Sequence, residues 1–342
     1  MIKVGLVGYG FMGHMHAQCH EATGQSRIVG LADVEPDRRK EAEEKLECRT
    51  FASLAEMLDS ANIDMVDICT STYLHEEMVT AAAKAGKHIL CEKPMSLTVE
   101  SCDRMIKVVK KAGVKMMVAQ VIRFWPEYQV VKEIVDSGKF GRVEWLSARR
   151  LSPPPTWAWQ GWLLDPARSG GAVLDLHIHD LDYIAWLVGL PEKIQACGTR
   201  GTKGGLDSIL TLGWEHPSGA KSLVEGSLVL APGFPFNMSL LVACEKATIR
   251  FDSGASPTLV VYPMEGEIFV PPLPAPQVGV STETQGNIGA LGGYYNEIKY
   301  FLDCLEAGKA PEVVTPEDAR EAVRFSLAVR ESAKTGRTVN LK

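Results

Sequence analysis

The first thirteen residues constrain the fold more than any other stretch of the chain. Ile2-Lys3-Val4-Gly5-Leu6-Val7 is a short apolar run of the kind that forms a buried strand, and Gly8-Tyr9-Gly10-Phe11-Met12-Gly13 follows directly. In the spacing G-x-G-x-x-G each glycine has its own duty. The first makes the turn, the second lets backbone approach a pyrophosphate, and the third allows helix to pack closely on strand. Amides at the helix start would face the phosphates of a dinucleotide. The pattern alone is weak, and its test is a second apolar strand that ends in an acid about twenty positions further on. Arg27-Ile28-Val29-Gly30-Leu31-Ala32 followed by Asp33 meets that test. Gly8, Tyr9, Gly10, Phe11, Met12, Gly13 and Asp33 are therefore expected to hold the cofactor. An aspartate here accepts from the ribose hydroxyls of NAD and repels the 2′-phosphate of NADP, so NAD is the expected dinucleotide. Arg38 is close enough in sequence to pair with a phosphate, which keeps NADP open.

Beyond Asp33, strands and helices alternate. A helix over 35–44 opens with Pro36 and acids, a strand at 64–70 leads into a helix over 75–85 that stops at Gly86, and a strand at 87–91 precedes Glu92-Lys93-Pro94. A helix near 98–112 and a strand at 114–119 follow. Such alternation is the mark of a parallel sheet covered by helices on both faces. Ligands of these sheets sit at the carboxyl ends of the strands, a rule that brings Gly8 to Gly13, Asp33, Thr70 and Lys93 to one rim. Position alone leaves Lys93 open to two readings, a solvated surface charge or a group facing the ligand.

With 342 residues the chain exceeds one ordinary core, and two domains are expected, 1–122 and 123–342. A net charge of −6 offers no footprint for nucleic acid or an anionic membrane. No apolar run approaches the length of a bilayer span. Eight cysteines are scattered without C-x-x-C or zinc-ligand spacing, which points to free thiols and a cytoplasmic protein.

After residue 122 the pattern changes. A helix around 127–137 and a strand at 142–149 precede a turn-rich loop, then Trp157, Trp159 and Trp162, which read equally as core or as the wall of a sugar-sized pocket. Ser169-Gly170-Gly171 introduces apolar residues at 174, 178, 181, 185 and 188, the period of one amphipathic helix. Asp175 and His179, four apart, share a face of it, and a carboxylate beside an imidazole can orient it and support its protonated form. His177 and His179 diverge by about 200° on a helix, so no metal site is expected. Strands at 193–201, 207–214, 220–230, 236–243, 246–251 and 257–262 then form an antiparallel sheet with one face open to another subunit. A Pro- and Gly-rich loop at 263–280 and helices at 292–307 and 316–335 complete the chain.

Taken together, the glycine motif followed by His16, the acid ending the second strand, Asp67-Ile68-Cys69-Thr70 with His75 beyond, and Glu92-Lys93-Pro94 resemble the Gfo/Idh/MocA oxidoreductases. The resemblance implies an α/β protein: an N-terminal Rossmann fold with a parallel sheet, and a C-terminal α+β domain with an open, mostly antiparallel sheet. It implies hydride transfer between NAD(P) and a secondary alcohol or ketone of a sugar, inositol or related polyol. Lys93 would touch the reacting oxygen, with Asp175 and His179 completing the catalytic set. Ser71, His75 and Glu92 join the expected cofactor contacts, and Arg123, Trp157, Trp162 and His179 the substrate contacts. A homodimer or homotetramer through the C-terminal sheet is implied as well. Two alternatives come with the resemblance, an NAD-dependent glycoside hydrolase and a non-catalytic NAD(P)-binding regulator.

Overall fold

The computed structural model describes residues 1–201, 205–274 and 291–341. They form two compact units, one of residues 1–124 and 291–320, the other of 125–274 and 321–341. Residues 123–124 and 291–320, which the sequence reading assigns to the second domain, thus group with the first unit. The cause is helix Gly292–Glu306, whose buried face, including Ile298, Phe301 and Leu302, packs with helix Phe11–Thr23.

The first unit runs β1 (Ile2–Val7), α1 (Phe11–Thr23), β2 (Ser26–Ala32), α2 (Pro36–Leu46), β3 (Arg49–Phe51), α3 (Leu54–Ser60), β4 (Met65–Ile68), α4 (His75–Lys84), β5 (His88–Glu92), α5 (Val99–Ala112) and β6 (Met116–Ala119). All six strands are parallel, in the order β3-β2-β1-β4-β5-β6. Because both faces are covered, β4 and β6 are buried along their whole length and read as unbroken runs rather than alternating ones. Local signals set the helix ends. Ser53 and Thr98 accept hydrogen bonds from the amides of Glu56 and Ser101, and left-handed Gly24 and Gly113 stop α1 and α5. Strand order reverses between β1 and β4, the place where such sheets open a crevice for a ligand. Strand β3 and helix α3 are absent from the sequence reading; three residues are too few to show a strand period, and α3 spans only seven.

The second unit contains α6 (Pro126–Asp136), β7 (Val143–Leu151), α7 (Pro166–Ser169), α8 (Ile178–Val188), β8 (Lys193–Arg200), β9 (Leu206–Trp214), β10 (Lys221–Ser227), β11 (Asn237–Cys244), β12 (Ala247–Asp252) and β13 (Leu259–Pro263). The helix Gly292–Glu306 is α9, and α10 (Pro316–Thr335) and β14 (Val339–Asn340) end the chain. Thr315 caps α10: its hydroxyl accepts from the Asp318 amide, and the Asp318 carboxylate accepts from the Thr315 amide. The eight-stranded sheet is open, in the order β13-β12-β11-β7-β10-β9-β8-β14, and only the β10–β7 pair is parallel. Burial alternates along β11 and β12, as expected of a sheet with one covered face. On the covered face a buried Arg150–Asp180 pair at 2.8 Å ties β7 to α8, and the Tyr183 hydroxyl donates to the Tyr128 carbonyl at 2.7 Å. On the other face Trp145, Leu210 and Leu212 are exposed. Residues 264–274 have little regular structure; the rest of the expected 263–280 loop, and Gly204 of the Gly204-Gly205 turn, lie outside the described residues.

Candidate active site

The glycine loop shows why each position excludes a side chain. Gly8 has φ +88°, and a Cβ there would lie 2.8 Å from the Cys69 carbonyl oxygen. At Gly13 a Cβ would come within 2.1 Å of the Gly8 carbonyl oxygen, so α1 can pack on the turn only with hydrogen at that position. Gly10 differs: the nearest atom to its Cβ position is Arg38 Nη1 at 3.8 Å, which leaves open space at the start of α1. The N-cap there is Gly10, with no side chain to fold over the first turn, the arrangement that suits an anion at a helix start. Phe11 and Met12 are half-buried in its first turn.

Asp33 is buried at the end of β2. Its Oδ2 accepts from the Tyr9 amide at 2.6 Å and its Oδ1 from the Glu35 amide at 2.8 Å. The carboxylate therefore braces the glycine loop. Arg38 Nη1 stands 3.6 Å from Asp33 Oδ2, an ion pair that directs this arginine toward the acid. The Tyr9 ring stacks on His14 at 3.9 Å, and burial together with Glu41 pushes its hydroxyl up to about 12. A turn that admits only glycine, open space before an uncapped helix and a buried acid one strand away fit a dinucleotide.

On the other side of the switch point, Thr70 follows β4, Lys93 follows β5 and Gln120 follows β6, all at the carboxyl rim of one sheet. The Thr70 hydroxyl oxygen and both amide atoms of Gln120 are buried with no hydrogen-bond partner among the described residues. Such orphaned polar atoms at a sheet rim are what a missing polar ligand leaves behind. Lys93 is half-buried, and Ser71 is buried beside Thr70. His75, expected as a cofactor contact, is fully buried with one ring nitrogen 3.0 Å from the Pro94 carbonyl and the other 3.1 Å from that of Thr70. It clamps the two rim loops together.

Glu92 enters a network that the sequence reading did not anticipate. One carboxylate oxygen accepts from the Lys93 amide at 2.9 Å, the other lies 3.1 Å from His16 Nε2. His16 Nδ1 is 2.9 Å from Asp67 Oδ2, and His20 Nε2 is 2.9 Å from the same oxygen. Burial alone would push His16 down, but Asp67 and Cys69 outweigh it and hold the imidazole well above its ordinary value. Burial would likewise raise Asp67, yet His16 and His20 hold it well below the usual carboxylate range. Nearby Glu297 is fully buried, and burial, reinforced by Glu92, pushes its carboxyl well above the usual carboxylate range. His16, Asp67 and Cys69 could offer ligand atoms to a metal, but both His16 nitrogens already face carboxylate oxygens, which can only accept. The sequence does carry a signal for this network: a charge, Asp67, in the middle of an apolar strand, and two histidines four apart on α1.

In the second unit, Gly170 and Gly171 have φ of +80° and +71°, and a Cβ on Gly170 would strike Leu174. Ser169 is buried. Its hydroxyl donates to the Leu163 carbonyl at 2.9 Å and accepts from the Gly171 amide at 3.0 Å. The helix that follows opens with one π turn, Val173–His177, before α8, where the sequence period predicts α-helix throughout. Asp175 lies in that π turn and His179 in the first turn of α8, both half-buried. Turns of this kind concentrate at functional sites. His177 is fully buried behind them, its Nε2 2.9 Å from the Thr211 hydroxyl. None of the three tryptophans is core: Trp157 is 50% exposed, and Trp159 and Trp162 are half-buried. Arg123 is buried in the first unit, where it donates to the Val313 carbonyl at 2.8 Å and lies 3.7 Å from Asp318.

All eight cysteines are free thiols, and among the described residues no helix is long and apolar enough to cross a membrane. Residues 2–120 match an oxidoreductase family with an NAD-binding Rossmann fold, and residues 128–250 match the GFO/IDH/MocA C-terminal domain. Myo-inositol 2-dehydrogenase of Thermotoga maritima is 29% identical over 100% of this chain and 99% of its own. The 2,7-anhydro-N-acetylneuraminate hydratase of Escherichia coli is 30% identical over 66% of this chain and 61% of its own. Among solved structures, a probable dehydrogenase from Thermotoga maritima superposes with a TM-score of 0.82 at 28% identity, covering 99% of each chain. With a glycine loop, an acid ending β2 and a Glu-Lys-Pro rim in one unit, and both family domains matched in order, this chain belongs to the Gfo/Idh/MocA family of NAD-binding oxidoreductases.

Proposed function

We propose that the protein transfers hydride reversibly between NAD and a secondary alcohol or ketone on an inositol, sugar or related polyol. The observation that carries this reading is the rim of the parallel sheet. There the glycine loop, Asp33, Thr70 and Lys93 follow successive strand ends, and polar atoms without partners flank the lysine. Gly8 to Gly13 would hold the pyrophosphate and Asp33 the ribose of NAD, which when bound supplies the hydride acceptor or donor. Lys93 would donate a hydrogen bond to the reacting oxygen and stabilise the alkoxide charge that develops on it. His179 would take the hydroxyl proton as general base and return it in the reduction, with Asp175 orienting the imidazole or binding a neighbouring hydroxyl. Ser71, Trp157 and Trp162 complete the proposed contacts. Arg123, held by Val313, belongs to the scaffold in this reading rather than to the substrate.

The test is an absorbance screen at 340 nm with NAD, and separately NADP, against inositols, hexoses, pentoses and sugar acids. K93M should lower turnover by about two to four orders of magnitude while NAD affinity stays within about threefold. Normal turnover in K93M would remove the lysine from the chemistry. The relative named a hydratase favours a second reading, chemistry without net oxidation of the substrate. Product formation from a glycoside or anhydro-sugar with no steady-state NADH would select it.

The free thiols suit a reducing compartment, which supports a cytoplasmic location. Exposed Trp145, Leu210 and Leu212, on one face of the antiparallel sheet, support a homodimer or homotetramer assembled through that face. L212E should shift the protein to a smaller species in sedimentation. An unchanged species would place the interface elsewhere.

A further inference from the structure

Lys93 follows β5 on a backbone held by the side chain of its neighbour Glu92. Its amide donates to one oxygen of Glu92 at 2.9 Å, and the other oxygen of Glu92 receives His16 Nε2 at 3.1 Å. On the far side His16 Nδ1 meets both oxygens of Asp67, at 2.9 and 3.1 Å. Carboxylate oxygens accept and do not donate, so both ring nitrogens must carry protons. The ring is an imidazolium that bridges two acids, sealed from water, with 0% of His16 and of Asp67 exposed. Every group that faces this cation contributes to its environment: Asp67 and Cys69 from β4 and its end, Glu92 from β5, His20 and Cys19 from α1, and Glu297, its carboxyl pushed up by burial, from α9.

His16 also lies one helical turn beyond Gly13, on the helix whose start forms the phosphate cradle. One buried cation therefore joins the element that would hold the cofactor phosphates to the residue that carries the lysine. We infer that His16 is a positioning residue for Lys93: clamped by Asp67, the imidazolium fixes the Glu92 carboxylate, and Glu92 fixes the Lys93 backbone. This rests on the proposed role of Lys93 for its effect on turnover, but its structural content does not. In low-dielectric surroundings a charged bridge is stiff, because any displacement of one partner leaves the other uncompensated. A neutral side chain at position 16 keeps the space filled and loses one of the two contacts. The register of Lys93 relative to α1 is then no longer held.

The experiment compares wild type with H16Q, both full-length and saturated with NAD, by amide hydrogen exchange resolved at single residues. Exchange at Lys93 should accelerate by about tenfold or more in H16Q while strand Val4–Val7 keeps its protection, a local opening and not a global one. Equal protection at Lys93, or acceleration spread evenly over the sheet, would overturn the inference. Should H16Q fail to fold, E92Q serves the same comparison, because it keeps an oxygen for the Lys93 amide but gives up the charge that holds His16. The second readout is turnover with the substrate found in the screen. H16Q should lower kcat by about 10- to 100-fold with KM for NAD little changed, and should lower it no further in the K93M background. The same factor in both backgrounds would sink the positioning role while leaving the Lys93 reading intact. Full turnover in K93M alone would instead sink the Lys93 reading, with the exchange result still deciding the structural claim.

Discussion

His16 and His177 are both completely buried, one in each unit, and their surroundings push their proton affinities in opposite directions. His16 lies between Asp67 and Glu92 and is held well above its ordinary value; His177 faces the Thr211 hydroxyl, and burial followed by the charge of Arg150 pushes it down to about 3. Desolvation opposes the charged form in both places, so what differs is the counter-charge. The parallel sheet brings Asp67 and Glu92, on adjacent strands β4 and β5, toward one helix face. The antiparallel sheet presents Thr211 and Gly226 to His177, and a Cβ on Gly226 would lie 2.6 Å from its Nδ1. Burial of a histidine is thus no guide to its role. A cation held by two acids can organise a site, whereas a neutral ring of the same shape fills space.

The sharpest way to break this comparison is D67N, which leaves His16 with a single acid and a buried charge half compensated. It should cost about 3–5 kcal/mol in urea unfolding, the price of breaking a buried pair. A loss under about 1 kcal/mol would mean that His16 is not charged in the folded protein.

The next effect is one of pH. Unfolded His177 takes a proton near 6.5 and the folded residue only near 3, so between those values the unfolded chain binds the extra proton and stability falls as pH falls. His16 has the opposite sign: its contribution is fully present below the unfolded value and is lost as pH rises through its raised folded value. H177N should therefore remove a slope of about 1.4 kcal/mol per pH unit on the acid side, read from urea midpoints between pH 6 and 4. Parallel stability curves for wild type and H177N would show that His177 is already protonated in the fold. The smallest effect is that of T211V, which removes only the neutral partner of His177 and should cost about 1–2 kcal/mol. A loss as large as that of D67N would erase the distinction between the two histidines.

Much of the first unit was legible because its signals are local. A glycine is required at Gly8 and Gly13 by contacts within a few residues or with the next strand, and Asp33 ends its strand at the expected distance. The strands of the second unit were legible from alternation and turn residues, and their boundaries differ from expectation by a few residues at most. Strand β3, too short to have a period, was not, and neither was the π turn at Val173–His177, which shares its apolar spacing with an ordinary helix.

What the sequence determined by itself, then, was the order of elements, the family and the residues at strand ends, since each depends on neighbours along the chain. What only the tertiary structure decided was which buried polar groups meet. Asp67 and Glu92 are 25 positions apart, and His16 is 51 positions from the first and 76 from the second. Their partnership comes from parallel register across β4 and β5, and from α1 lying over it. The return of α9 to the first unit was settled in the same way, by an apolar helix face that had to be covered by whatever lay within reach. Charge state follows from these meetings, because in a low-dielectric interior a group's ionisation depends on its nearest counter-charge far more than on its own chemistry.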